Sequence, residues 1–184
     1  TENYIAPEDF VPTPVTPAAP VAKIGDTEYT SLADALAAAV ASASDVTVEI
    51  IADVDLTGTN WTPVDMNAKK ITVTVEGGDH VITGLDNSLF GKLWASKGLV
   101  INDLTIKDST IVNDETDAKG TVGVGAFIGD AEAIETVTLD NCHVIDSTVS
   151  GGHWTGGFVG ICGGYNGSDG PVFTTLTITD STVE

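Results

Sequence analysis

Arginine is absent from this chain, and basic residues are scarce altogether. The 184 residues include seven lysines against 27 aspartates and glutamates, which gives a formal net charge of −20. A chain this acidic cannot neutralise phosphates, so nucleic-acid binding is excluded as a function class. It would also be repelled by an anionic membrane surface. No apolar run approaches the roughly 20 residues of a membrane-spanning helix, so we expect no membrane insertion.

Cysteine and histidine are rare as well. Cys142 and Cys162 are the only cysteines, neither belongs to a Cys-x-x-Cys motif, and the three histidines are not at ligand spacing, so no zinc site is predicted. Hydrophobic residues nevertheless make up 42% of the chain and charged residues only 18%. That balance predicts a folded domain rather than a disordered polymer.

Three segments divide the chain. Residues 1–20 hold five of the seven prolines and indicate a Pro/Thr-rich linker, with a flexible terminal tag as the alternative. Residues 21–45 predict a short strand and a helix, which begins at a Ser-x-x-Asp capping box and carries apolar residues at helical spacing. Residues 46–184 contain β-branched runs that alternate with period two, so the body of the protein is predicted to be all-β.

The β-rich segment repeats itself. Segments 104–111, 137–144 and 176–183 align with one another, and Gly-Ala-Phe-Ile-Gly at 125–129 returns as Gly-Gly-Phe-Val-Gly at 156–160. Residues 88–91 are interpreted as a degraded earlier copy of the second block. Strand-only repeats at periods above 30 residues predict a parallel β-helix, a solenoid of about four to five coils with like residues stacked.

The alignment of the repeats predicts which residues stack. Asp108, Asn141 and Asp180 are predicted to share a corner, where Asn and Asp tolerate left-handed backbone. In the same alignment Leu104, Val137 and Leu176 stack in one inward column. Because the two cysteines fall at different places around the coil, we expect buried free thiols, with a disulfide as the alternative.

Parts of the sequence resemble a known family. The stretch VAKIGDTEYTSLADALAAAVASAS, which begins at Val21, resembles the N-terminal segment of pectate-lyase-like right-handed β-helices in bacterial surface proteins. Residues 70–84 resemble the first coils of that fold. The block at 156–160 is similar to the GLUG motif of adhesin-like proteins, although it has Phe158, and the block at 125–129 has Ala126 in place of the second glycine. The resemblance implies a right-handed solenoid, an N-terminal capping helix and an extracellular, cell-surface or cell-wall location.

The fold of this family carries both adhesins and enzymes, so function has to be read from side chains. Lyases of the family are similar in using calcium-binding carboxylates with an Arg or Lys base, but this chain has no arginine and its lysines show no pairing with a column of carboxylates. Asp103, Asp108, Asp140 and Asp180 are interpreted as corner or solvated residues. We therefore expect a non-enzymatic module for adhesion or display. A polysaccharide lyase or hydrolase is the alternative, and a spacer without a ligand is a third possibility.

Aromatic residues in Gly-rich loops are the candidate binding residues. Trp154 and Tyr165 lie in two such loops, and sugars stack on exposed rings, so we predict a ligand site that also includes His153 and Asn166. Capping of a coil end by these rings is the alternative. The expected partners are host or environmental glycans or surface proteins.

An acidic loop is the candidate metal site. Asp114, Glu115 and Asp117 could hold Ca²⁺ through carboxylate oxygens, but they lack the spacing of an EF-hand, and a solvated loop is the preferred interpretation. No other cofactor is expected.

The sequence ends at residue 184 inside a repeat copy. A solenoid end without a cap exposes apolar residues and strand edges. We therefore expect further coils or domains of the same polypeptide, with coverage by another chain as the alternative.

Overall fold

The computed structural model describes residues 18–113, 123–151, 153–163 and 174–184, and the backbone of 165–167 and 170–172. Residues 1–17 of the predicted linker lie outside the described residues. Strands dominate the described part, which also contains one helix, so the predicted all-β class with a single helix is confirmed.

The elements follow one another along the chain with short connections. The helix α1 (Leu32–Val40) is preceded by β1 (Ala22–Ile24) and β2 (Thr27–Tyr29). The strands after it are β3 (Val46–Ile50), β4 (Val54–Asp55), β5 (Thr72–Thr83), β6 (Phe90–Lys92), β7 (Gly98–Lys107), β8 (Thr110–Asn113), β9 (Gly123–Val124), β10 (Ile128–Glu132), β11 (Thr136–Ile145), β12 (Thr148–Gly151), β13 (Trp154–Thr155), β14 (Val159–Gly163), β15 (Tyr165–Gly167), β16 (Gly170–Val172), β17 (Thr175–Thr179) and β18 (Thr182–Val183).

The helix forms where the capping box predicts it. Ser31 is the N-cap, and its Oγ accepts a hydrogen bond from the backbone N–H of Asp34 at 3.3 Å. The predicted apolar stripe is buried and packs against β1 and β3; its members are Leu32, Ala35, Leu36, Ala39 and Val40. Within the described part of the chain, no helix has the length and hydrophobicity needed to cross a bilayer.

Two sheets carry most of the fold. In the main sheet β3, β5, β7, β11 and β17 pair in parallel in that order, and β1 and β2 extend it with antiparallel pairing. In the second sheet β6, β10 and β14 pair in parallel. Ile128 pairs with Val159 and with Phe90, which confirms the predicted alignment of the two Gly-rich blocks and of their degraded copy.

Like residues stack across the main sheet. Val73, Leu99 and Val137 are successive register partners, and all three are fully buried. The predicted pairing of Val137 with Leu176 is confirmed, but the predicted pairing of Val137 with Leu104 is wrong, because Leu99 occupies that position. Burial of each such side chain contributes about 1.5–3 kcal/mol, so this column is a main source of stability.

The chain bends once within each of the strands β7 and β11 and again directly after each strand ends, five residues later. At the first bend Asp103 and Asn141 are in equivalent positions, with φ of 51° and 49°. At the second bend Asp108 and Asp146 are in equivalent positions, with φ of 47° and 49°. Asn and Asp accept this left-handed conformation more readily than most residues. The predicted corner of Asp108 with Asn141 is therefore wrong. Asp108 belongs to the second bend and Asn141 to the first, and the repeat alignment matched these two different bends because their sequences look alike.

Where a serine follows an Asp in the left-handed conformation, its side chain joins neighbouring strands. Ser109 Oγ accepts a hydrogen bond from Leu85 N at 3.0 Å, and Ser147 Oγ accepts one from Ser109 N at 3.1 Å. Ser181 Oγ accepts one from Cys142 N at 2.9 Å. Each hydroxyl also donates to the carbonyl two residues before it. The side chains therefore satisfy backbone N–H groups where the bend interrupts the ladder; we call this arrangement the serine ladder.

An ion pair ties the beginnings of three neighbouring strands together. Asp45 precedes β3, and its Oδ1 accepts a hydrogen bond from Thr72 N at 2.8 Å, while its Oδ2 lies 2.7 Å from Lys97 Nζ. The hydrogen bond from Lys97, followed by that from Thr72, lowers the pKa of the Asp45 carboxyl below its ordinary value. Ionised Asp45 therefore stabilises the folded state.

Substitution of Ser109 tests the serine ladder. Ser109→Ala leaves the buried Leu85 N–H without its acceptor, so we expect the free energy of unfolding to fall by about 1–3 kcal/mol. Urea unfolding followed by circular dichroism measures the change. Ser150→Ala, at an exposed position of β12, is the control and should change stability by less than about 0.5 kcal/mol. Equal losses in the two variants would contradict a structural role for the ladder.

The Asp45 contact predicts a defined pH dependence. A carboxyl whose pKa is lower in the folded than in the unfolded state stabilises the fold above its unfolded pKa, and this is lost as pH falls through the folded pKa. The stability difference between the wild type and Asp45→Asn should therefore be largest near neutral pH and should shrink below about pH 4. Urea titrations at several pH values measure it. Adding Lys97→Gln to Asp45→Asn should cost little more, and full additivity would argue against the pair.

Candidate functional site

Trp154 and His153 lie at the surface, as the sequence predicts. Trp154 belongs to β13, and its side chain is 52% exposed. His153, directly before this strand, is also exposed. In the parallel pairing of β13 with β9, Trp154 is the register partner of Gly123. The surface around Gly123 therefore lies one strand away from Trp154.

The other predicted binding residues are described by their backbone alone. Tyr165 and Asn166 lie in β15, which forms an antiparallel hairpin with β16. Their side chains lie outside the described residues. Whether the two aromatic rings form one platform stays a prediction.

The predicted calcium ligands Asp114, Glu115 and Asp117 lie outside the described residues. In the ranges that the structure does describe, no three His, Cys, Asp or Glu side chains come together as a metal site. Calcium binding by the acidic loop therefore stays a prediction.

One tryptophan packs inside the fold. Trp61 is 7% exposed, and its indole Nε1–H donates to the carbonyl of Leu89 at 3.2 Å. Its own backbone N–H donates to Asp86 Oδ1 at 2.8 Å. Hydrogen bonds from its indole N–H and its backbone N–H therefore fix Trp61 within the fold.

A cleft of about 430 Å³ lies beside the beginning of α1, and its polar groups already serve the fold. Asp53 Oδ1 accepts a hydrogen bond from Val81 N at 3.0 Å and lies 3.1 Å from His80 Nδ1. Asp55 Oδ1 accepts one from Thr57 N at 2.9 Å. These contacts lower the pKa of both carboxyls, through Val81 and then His80 for Asp53 and through Thr57 for Asp55. Among the described residues, none that lines this cleft is basic.

A second cleft, of about 380 Å³, combines donors and acceptors of hydrogen bonds. We call it the polar cleft; its lining is Thr62, Pro63, Asp65, Asn87, Ser88, Gly91, Lys92, Asn113, Gly123, Gly129 and Asp130. Its volume lies in the range of small-ligand sites. Two carboxylates, one ammonium group and two amides in one concave surface can bind a polyhydroxylated molecule. This cleft is the best-supported site among the described residues.

The second sheet and the segment beside it position the charged groups. Lys92 of β6 and Asp130 of β10 are register partners in neighbouring parallel strands, so their side chains lie on one face. Asp65 lies on the other side of β6, where Gly91 N donates to the carbonyl of Val64 at 3.0 Å. Asp65 Oδ1 accepts a hydrogen bond from Lys92 N at 2.7 Å. This bond fixes the carboxylate of Asp65 at the wall of the cleft.

Burial distinguishes the two carboxylates. Asp130 is only 8% exposed, and its Oδ1 accepts a hydrogen bond from Glu132 N at 3.0 Å. Asp65 is exposed. Asp130 is therefore a fixed part of the cleft, whereas Asp65 presents its free oxygen to solvent.

Glycines line the cleft because larger residues would not fit. A Cβ at Gly91 would collide with Asp65 Oδ1 and lie 3.1 Å from Pro63 Cβ. A Cβ at Gly123 would collide with the carbonyl oxygen of Gly129. The missing side chains leave backbone accessible and allow a flat ligand to approach closely.

Sequence analysis missed these residues. The signal is the residue that follows the last glycine of each repeated block. This residue is Lys92 after residues 88–91, Asp130 after 125–129 and Ile161 after 156–160. The register stacks the three in one column of the second sheet. Because the residue type changes at each copy, the repeat alignment alone did not mark the column as a site.

The two cysteines are free, as expected, but they differ in exposure. Cys142 is buried in β11, and burial raises the pKa of its thiol to about 11. Cys162 lies in β14 and is exposed, which corrects the expectation that both thiols are buried. β14 is the last strand of the second sheet in the described part of the chain, and no described strand pairs with it on that side. Partial burial still raises the pKa of Cys162.

Thiol labelling tests this difference in exposure. With an excess of Ellman's reagent near pH 8, Cys162 should react first and Cys142 only when the protein unfolds, because reaction needs an accessible thiolate. Cys162→Ser should remove the early phase, and the matched variant Cys142→Ser should keep it. Two thiols that react at one rate in the folded protein would overturn the assignment.

Comparison of the chain with models of protein families, with curated proteins and with solved structures finds no match, so its own residues carry the functional argument.

Proposed function

We propose that the chain is a right-handed parallel β-helix of about four to five coils, capped by α1, that acts as a glycan-binding module in cell-surface adhesion or display. Support for the fold comes from the two stacks of parallel strands, in which register partners lie 24 to 39 residues apart along the chain. Connections between parallel strands of one sheet are right-handed in about 98% of cases, which favours the proposed hand.

The observation that carries the binding proposal is the polar cleft. Asp65, Lys92 and Asp130 line it together, with two amides close by and glycines between them. Sugar hydroxyls both donate and accept hydrogen bonds, so a mixed lining of carboxylate, ammonium and amide groups matches a saccharide better than an apolar ligand.

Trp154 extends the proposed site along the direction of strand stacking. Its register partner Gly123 lines the polar cleft, and neighbouring strands lie about 4.8 Å apart. A glycan of two or more sugar units could therefore occupy the cleft and reach the tryptophan. Half of the Trp154 side chain is exposed, which leaves ring surface for stacking on a sugar.

The proposed location is extracellular, at the cell surface or in the cell wall. The resemblance to GLUG-containing surface proteins supports this location. The formal charge of −20 also suits a densely displayed molecule, because like charges keep neighbouring copies apart and soluble.

A glycan array is the test of the binding proposal. We expect specific binding by the wild type and at least a tenfold loss in Gly91→Ala, because the added Cβ displaces the Asp65 carboxylate. Trp154→Ala should weaken binding by about tenfold. The matched controls are Gly163→Ala, whose Cβ meets open space, and Val183→Ala, which removes an equally exposed apolar side chain. Binding that survives Gly91→Ala unchanged would remove the polar cleft from the proposal.

A carbohydrate-active enzyme is the second candidate, and one observation favours it. Asp65 and Asp130 are two carboxylates in one cleft, as hydrolysis by an acid and a base requires. The release of reducing ends from bound glycans distinguishes the candidates. Turnover that is lost in Asp130→Asn would favour the hydrolase, and stable binding without turnover would favour the binding module.

A further inference from the structure

We propose that the glycan held in the polar cleft carries a free, protonated amino group, so that the ligand is a deacetylated amino sugar rather than a neutral or acidic one. This inference rests on the proposed function and names the ligand class of the same site. Its physical basis is the charge of the cleft and the position of Asp65.

The charge of the lining selects a cation. The described lining residues carry two carboxylates, of Asp65 and Asp130, against the single ammonium group of Lys92. This described part of the lining is therefore negative by one charge, and it lies on a protein of net charge −20. Both fields attract an ammonium group and repel a carboxylate or sulfate.

Asp65 is the residue that receives the amino group. One hydrogen bond, from Lys92 N to Oδ1 at 2.7 Å, holds the side chain in place. A carboxylate has about four acceptor sites, so a carboxylate at an exposed position keeps capacity for a ligand donor. Hydrogen bonds between an ammonium group and a carboxylate are about twice as strong as neutral ones.

Acidic glycans are disfavoured for a second reason. Proteins bind sugar carboxylates and sulfates most strongly through the bidentate guanidinium of arginine, and this chain contains none. Lys92 is the only basic residue among the described residues of the lining, and its register partner is Asp130. A single ammonium group beside a carboxylate gives little net attraction for an anion.

The shape of the cleft favours a sugar over a lysine side chain of a protein. A lysine would use one carboxylate and leave the amides of Asn87 and Asn113 without a role. A sugar ring carries hydroxyls for these amides, and its flat face fits against Gly91 and Gly123, where no side chain projects. The amide and glycine lining therefore argues for a ring with several polar groups.

Calorimetry with glucosamine oligomers and with the fully N-acetylated oligomers of equal length tests this inference. We expect the free amine to bind at least tenfold more tightly at low ionic strength, with the preference shrinking as salt is added. Asp65→Asn should abolish the preference, because the amide keeps the acceptor for Lys92 N but loses the charge. Asp79→Asn, at an exposed position of β5 away from the described cleft lining, is the matched control and should keep the preference.

The outcomes separate this inference from the proposed function. Tighter binding of the acetylated oligomer, or an acidic glycan as the best ligand, would overturn the amine assignment and leave a glycan-binding module. No binding of any glycan would overturn both. Binding of a lysine-rich peptide in place of the oligomers, with the same sensitivity to Asp65→Asn, would overturn the sugar assignment.

Discussion

The structure depends on how the chain changes direction without leaving backbone groups unpaired. Within β7 and β11 and directly after them, the change is made by single Asp or Asn residues in the left-handed conformation, which interrupt the hydrogen-bond ladder at two positions. At the second position the serine hydroxyls of Ser109 and Ser147 replace the lost ladder bonds. A buried N–H without an acceptor would cost about 1–3 kcal/mol at each bend. The serine ladder removes this cost and fixes the register in which the apolar columns can stack.

Once the bends of neighbouring strands are aligned, the alternation of inward and outward side chains along each strand is enough to stack the apolar residues in columns. Val73, Leu99 and Val137 alternate with outward residues along their strands and meet their equivalents in the next strand. A shift by one residue would turn every one of them outward, so the hydrophobic effect and the bends demand the same alignment. At the end of the main sheet the apolar side chains have no further described strand to pack against. Ile178, the register partner of Leu139, is 41% exposed because no further described strand covers it.

Sequence reasoning predicted the elements better than their alignment. The capping box at Ser31, the period-two strands and the pairing of the Gly-rich blocks were all predicted, because each depends on local spacing. The register of β7 was not predicted, because Asn141-Cys142 and Asp146-Ser147, five residues apart, are both an Asn or Asp followed by a small residue and look alike in sequence. A repeat alignment cannot choose between two bends that look alike. Only the packing of Leu99 against Val137 makes the choice.

The polar cleft was missed for a related reason. A stack of repeats conserves the residues that the fold needs, and a binding site lies where the repeats differ. In the second sheet the position after the last glycine changes from Lys92 to Asp130 to Ile161, because the stack does not depend on its residue type. Asp65 has no repeat partner in sequence and reaches the same surface through the hydrogen bond from Lys92 N. The chemistry of this protein is therefore carried by residues that depart from its repeats, and they become recognisable as a site once the register places them side by side.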